Sequence, residues 1–253
     1  MNNTTSIRNT NRSRYSSFVI FCFLFLLSLF FRLACLILDP IMMRDSSLYI
    51  CLADKEIAKG EYLRQLIDRT DINIPPLPIF CIQSLMKSGF GAELSGRFLS
   101  IFLGSLIPFL GYCIAKKAFR KQLPALICAL ILSLHPFLMT YSTQPLRENF
   151  YLFFSGVAFI VFLSGIETHR ILKWFLCGIF SSLAFFCRYE ALEFLIVFPS
   201  TYFVYLFIKR TFPKKLFLNV GMFYISFFSF YFFLIHFFGM SNMFLQRIPH
   251  FFD

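Results

Sequence analysis

Apolar runs of about 17–23 residues recur along the chain, at 18–38, 98–115, 123–141, 150–166, 171–187, 191–208 and 216–238. At about 1.5 Å per helical residue, such runs match a hydrocarbon core about 30 Å thick. Inside lipid the backbone must satisfy its own hydrogen bonds, so runs of this kind become helices. The expected fold is all-α: a polytopic membrane helical bundle with about seven transmembrane helices. Hydrophobic residues supply 58% of the chain and charged residues 15%, which sets it apart from soluble globular domains. Phenylalanine occurs 39 times, a side chain that costs little against lipid.

The polar stretches fix an orientation. Arg8, Arg12 and Arg14 precede the first run. Lys116, Lys117, Arg120 and Lys121 follow the second, His169, Arg170 and Lys173 the fourth, and Lys209, Arg210, Lys214 and Lys215 the sixth. The positive-inside rule places these clusters, and the N-terminus, in the cytoplasm. Of the 13 acidic residues only Glu167 falls on that side. The others lie in a long outer loop, at its edges or at the outer ends of runs. The net charge of +11 is therefore a topology signal, and nucleic acid is excluded as a partner. The first run is too long for a cleavable signal and reads as a signal anchor.

The organisation expected is a cytoplasmic tail (1–17), a membrane module (18–238) that includes the outer loop 39–96, and a short outer tail (239–253). The abrupt end after that tail reads as a fragment or a truncated frame. No repeat of fixed period occurs.

The outer loop carries two helical patterns. Tyr49, Ile50, Ala53 and Ile57 share one face, with Asp54, Lys55, Glu56 and Lys59 on the other, as in an interfacial helix ended by Gly60. A second follows Pro75-Pro76-Leu77-Pro78, with Ile79, Ile82, Leu85 and Met86 as its stripe and Gly89 and Gly91 at its end. Arg32, near the outer end of the first run, is expected to reach the headgroups or Asp39. Of the 8 cysteines, Cys51 and Cys81 lie in the loop, where a bridge between them stays open. The rest read as small buried apolar groups, and no metal spacing is present.

Several segments in order carry a resemblance. Arg44-Asp45-Ser46-Ser47-Leu48-Tyr49 opens the outer loop, and Ile57-Ala58-Lys59-Gly60-Glu61-Tyr62 closes its first helix. Pro75-Pro76-Leu77-Pro78 follows, then Glu93-Leu94-Ser95-Gly96-Arg97-Phe98 at the entry to the second run. Pro136, Tyr141-Ser142 and Arg147-Glu148 mark the turn from the third run to the fourth, and Gly178 through Arg188 the fifth run. This layout resembles the GT-C glycosyltransferases, and more closely glycosyltransferase family 39, the protein mannosyltransferase and aminoarabinose transferase type, over roughly residues 20–210. It departs in having Ile74 where the family usually has Lys, Ser46 where the acid after Asp45 often stands, and no counterpart of the carboxy-terminal half.

The resemblance implies a membrane glycosyltransferase. A sugar would leave a polyprenyl-phosphate donor for a lipid, polysaccharide or protein acceptor on the non-cytoplasmic face. A bacterial inner membrane is the expected location. Such chemistry needs a carboxylate to deprotonate the acceptor and cations to hold the phosphate leaving group. Asp45 and Glu148 are the candidate catalytic residues. Arg44, Arg147, Arg188 and Glu190 are the candidate substrate-binding residues. Plainer readings stand beside these: Asp45 as a helix N-cap, Glu148 as a partner of a helix dipole, and the arginines as headgroup anchors. Glu193 should face a wet cavity or be protonated. Tyr141, Tyr151 and Tyr189 read as interface-belt aromatics, and His135 as a kink residue before Pro136. The sequence specifies no cofactor; a divalent cation, Mg²⁺ or Mn²⁺, is the one the carboxylates could hold. The rival readings are a lipid-sugar transporter, an assembly subunit or an inactive fragment.

Overall fold

The computed structural model describes residues 3–38, 40–59, 75–210, 213 and 215–238; side chains are described from residue 18 onward, except 55–59. The described residues form ten α-helices and one 3₁₀ turn. These are α1 (Asn3–Leu38), α2 (Arg44–Lys59), α3 (Pro76–Met86), α4 (Ala92–Phe119), α5 (Gln122–Leu134), α6 (Pro136–Thr143), α7 (Arg147–Thr168) and α8 (Ile171–Phe185). The 3₁₀ turn Tyr189–Glu193 leads into α9 (Phe194–Lys209), and α10 is Leu216–Phe238.

The all-α expectation holds, but the count of seven spans does not carry over directly. Five segments are long and apolar enough to cross a bilayer: Phe18–Leu38, Ala92–Phe119, Arg147–Thr168, Tyr189–Lys209 and Leu216–Phe238. The third run is broken into α5 and α6, bent by 54°, and counts as a sixth span only if the pair is taken together. The cause is Pro136, which pushes the residue before it out of the helical region. His135 accordingly sits at φ −65°, ψ 119°. The fifth run is 15 residues of helix, which at about 1.5 Å per residue falls short of the hydrocarbon thickness. It is nevertheless central, because α8 packs against both α7 and α10.

Two glycines set the closest helix contacts. A Cβ on Gly178 would meet Ser226 Oγ and lie 2.5 Å from the Phe223 carbonyl oxygen and 2.9 Å from the Phe227 nitrogen, so α8 and α10 touch backbone to backbone. A Cβ on Gly104 would collide with the Ser142 side chain, which seats α6 on α4. Arg32 is enclosed at this second crossing and is fully buried. Its Nη1 donates to the Ser28 carbonyl oxygen at 3.1 Å and to Ser28 Oγ. The expected reach to the headgroups is therefore wrong. The groove left by Gly104 draws α1, α4 and α6 together around the guanidinium, whose Nε lies 3.0 Å from the position of that Cβ. Asp39, the other expected partner, lies outside the described residues, as does Gly60.

Basic residues end three helices at the other end of the bundle. Arg120, His169 and Arg210 take left-handed conformations, at φ 54°, 50° and 51°, just past α4, α7 and α9. A cation there also favours the helix dipole. Lys117 and Glu167 pair at 3.0 Å at this end. The clusters that the orientation rule reads as cytoplasmic thus also close helices.

The two loop helices pack on each other. Tyr49, Leu52 and Ala53 of α2 bury against Ile79 and Ile82 of α3. The apolar stripe of α2 is spent on a protein neighbour. The prolines of the 75–78 segment fall at the start of α3, where a missing N–H costs no helical bond. All three are buried, as is Leu77, whose N–H donates to the Phe186 carbonyl oxygen at 3.3 Å. The other side of α3 places Phe80 with its ring centroid 5.3 Å from Phe237 and 5.5 Å from Phe238. Gly89, at φ 94°, turns the chain after α3, and Gly91 opens α4.

Cys51 and Cys81 are both free, Cys51 exposed and Cys81 partly buried. Burial pushes the Cys81 thiol up to about 11. Maleimides react with the thiolate, so at neutral pH Cys51 should label readily and Cys81 should not. A membrane-impermeant maleimide should reach Cys51 from the side opposite to the one that labels an Arg120→Cys variant. Labelling of both from one side would refute the orientation.

Candidate active site at the loop-one end of the bundle

Asp45 and Glu148 occupy matching places, each the second residue of a helix. Asp45 is not the N-cap of α2. That place belongs to Met43, whose carbonyl oxygen accepts from the Ser47 N–H at 3.0 Å and from Ser47 Oγ at 3.2 Å. The Asp45 side chain is exposed, and it makes no hydrogen bond or ion pair with a described residue. A carboxylate left open in this way is what proton abstraction needs.

Glu148 is bound into a ring of charge. Its Oε1 accepts from Arg147 Nε at 3.4 Å and lies 3.9 Å from Arg188 Nη1. Arg188 Nε donates to Glu190 Oε1 at 3.0 Å. The Arg188 guanidinium also stands over the Tyr151 ring, 5.8 Å from its centroid. The hydrogen bond that Arg188 donates to Glu190 holds Arg188 above its ordinary pKa, against a smaller opposing effect of burial. Arg188 and Glu148 are 35% and 28% exposed, so these contacts are worth at most about 1 kcal/mol each to the fold. Their use is to hold charge in place. Arg188 is presented by the 186–188 turn that follows α8, and the buried 75–78 segment lies directly against that turn through Leu77 and Phe186.

Tyr49 lies one turn after Asp45 on α2. It is buried against Ile79 and Ile82 of α3, and its phenol is raised well above its ordinary pKa, first by burial. The charges it then feels are those of Arg147, Glu148 and Asp45. Asp45, Glu148, Arg147, Arg188 and Glu190 thus gather at one end of the bundle. Arg44 shares that end as an exposed residue and pairs with no described acid. Glu193 is exposed, and its Oε1 lies 3.5 Å from the Tyr151 hydroxyl. Tyr189 is buried in the core, so the belt reading fails for it. It is held there by Phe185, at 5.3 Å between ring centroids. Among the described residues no three of His, Cys, Asp and Glu stand close enough to hold a metal together.

Three further polar residues shape this end and were given no role from the sequence. Arg97, Gln144 and Asn149 are buried, and each bonds backbone across the site. Their signal was a polar side chain in a tight apolar turn or span entry, where burial demands partners.

A family model described as dolichyl-phosphate-mannose-protein mannosyltransferase matches residues 73–236, more than half of the chain. The match takes in Arg147, Glu148, Arg188 and Glu190 and begins after Asp45. No curated protein and no solved structure matches the chain.

Proposed function

We propose, from the dolichyl-phosphate-mannose-protein mannosyltransferase family to which this chain belongs, that it is a GT-C glycosyltransferase drawing on a polyprenyl-phosphate sugar. In this reading the acceptor is a hydroxyl on a lipid, polysaccharide or protein at the non-cytoplasmic face. Asp45 takes the acceptor proton as the oxygen bonds to the anomeric carbon. The bond from that carbon to the phosphate oxygen breaks, and the electron pair leaves with the polyprenyl phosphate. Arg188 and Arg147 meet the charge that grows on the phosphate, since guanidinium groups pair with phosphate oxygens through two N–H bonds. Glu148 and Glu190 keep those guanidinium groups aimed, and Arg44 adds a cation beside the base. Two arginines next to Glu148 compete with any divalent cation there, so charge neutralisation falls to them.

The observation that carries this reading is that an exposed carboxylate, Asp45, lies at the same end of the bundle as the Arg147–Glu148–Arg188 group, with the backbone before Asp45 bonded to Gln144 just ahead of Glu148. Charges gathered at an end of the bundle suit surface chemistry better than transport, which places polar groups near mid-membrane. Membranes containing the chain should form a new glycosidic bond from radiolabelled polyprenyl-phosphate mannose, read by mass spectrometry of glycolipids and glycans. Uptake of the label into sealed vesicles with no new bond would make the protein a transporter.

A further inference from the structure

We infer that Gln144 and Arg97 are positioning residues that fix the distance between Asp45 and Glu148. The inference rests on the reading of Asp45 as the base. Residues 40–43 lead into α2 and have little to hold them by apolar packing: Ile41 is 75% exposed and Met43 39%. Their place is set by polar bonds from across the bundle. The Gln144 side-chain amide pairs with this segment at two points. Its Oε1 accepts from the Met43 N–H at 3.0 Å, and its Nε2 donates to the Ile41 carbonyl oxygen at 2.8 Å. Arg97 adds a third, donating through Nη2 to the Pro40 carbonyl oxygen at 2.7 Å.

Gln144 belongs to the turn before α7, and Arg97 is tied to it. Arg97 Nη1 donates to the Thr143 carbonyl oxygen at 3.3 Å, and Nε to Glu93 at 2.8 Å. Asn149 Nδ2 donates to the carbonyl oxygens of Tyr141 at 2.7 Å and Gln144 at 3.2 Å, which locks the turn itself. Gln144 is 1% exposed and Arg97 6%, so both side chains are enclosed by protein. Met43 is two residues before Asp45, and Gln144 is four before Glu148. One amide therefore joins the backbone leading to each acid, over a sequence separation of 101 residues.

Gln144→Met tests this, because methionine fills nearly the same space and buries no polar group. The freed backbone groups at 41 and 43 can bond water, so the amount of protein and its melting temperature should stay close to wild type. Turnover should fall about 100-fold, the cost of a shift of about 1 Å at a reacting group, with the donor KM moving less than about threefold. The loss should vanish in the Asp45→Asn background, since Gln144 acts through Asp45. Asp45→Asn without activity, beside Gln144→Met at wild-type turnover, overturns the brace and leaves the base in place. Should Asp45→Asn keep full activity, the base reading falls, and the brace is judged by distance alone. For that, spin labels on Leu48→Cys and Leu152→Cys, both exposed positions, are placed in a background free of other cysteines. Gln144→Met should broaden their distance distribution; an unchanged distribution overturns the proposal.

Discussion

Asp45→Asn is expected to lower sugar transfer by roughly 10²–10⁴-fold, the usual contribution of a placed general base. Asn keeps the size of the side chain and removes the proton acceptor. Asp45 is exposed and bonds to no described residue, so the fold loses little. The variant should reach the membrane at wild-type levels and bind the donor with unchanged KM, because the interactions assigned to the phosphate belong to Arg147 and Arg188. Steady-state assays with the polyprenyl-phosphate donor separate the two parameters. Wild-type turnover in this variant would remove Asp45 from the mechanism. The same assay on Glu148→Gln would then show whether the other acid of the group is the base.

Gly178→Ala should disrupt the bundle more than any other single methyl group. The new Cβ would press on the backbone of Phe223 and Phe227, which cannot rotate away, so α8 and α10 must separate. Overpacking of this kind costs about 1–3 kcal/mol. Both helices border the site: α8 ends in the turn that presents Arg188, and α10 carries Phe237 and Phe238 against α3. Trp174 is the sole tryptophan and is buried in the core shared by α7, α8 and α9, so its fluorescence reports the change. The melting temperature in detergent should fall by several degrees. Ser226→Ala should not rescue it, since the obstructing atoms are backbone. Gly104→Ala makes the contrast. There the obstacle is the Ser142 side chain, and Ser142→Gly should restore most of the loss. Rescue of Gly178→Ala by Ser226→Ala would show that α8 and α10 do not meet by backbone.

Much of the site's chemistry could be read along the chain. The acids sort to one end, and the arginines next to Glu148 and Glu190 are visible as neighbours in sequence. The break at Pro136 is local too, because it arises from a clash with the residue before it; what was missed was its size, which splits the third run into two helices. Arg32 was misread for a different reason. Position near a helix end predicts a side chain that reaches out to water. Burial was decided by Gly104 on another helix, and nothing near Arg32 in sequence announces that contact. The same holds for α2, whose apolar stripe suggested a membrane surface and is covered by α3.

Sequence by itself determined that the chain is a helical membrane protein, which stretches are apolar enough to become its helices, and which residues carry charge between them. These follow from hydropathy, period and proline, all properties of neighbours within a turn or two. Tertiary structure alone decided that Glu148 meets Arg188 and that Gln144 holds the segment ahead of Asp45. Each of those depends on a contact between residues 40 to about 100 positions apart, which only the packing of helices against one another can bring within a few ångströms.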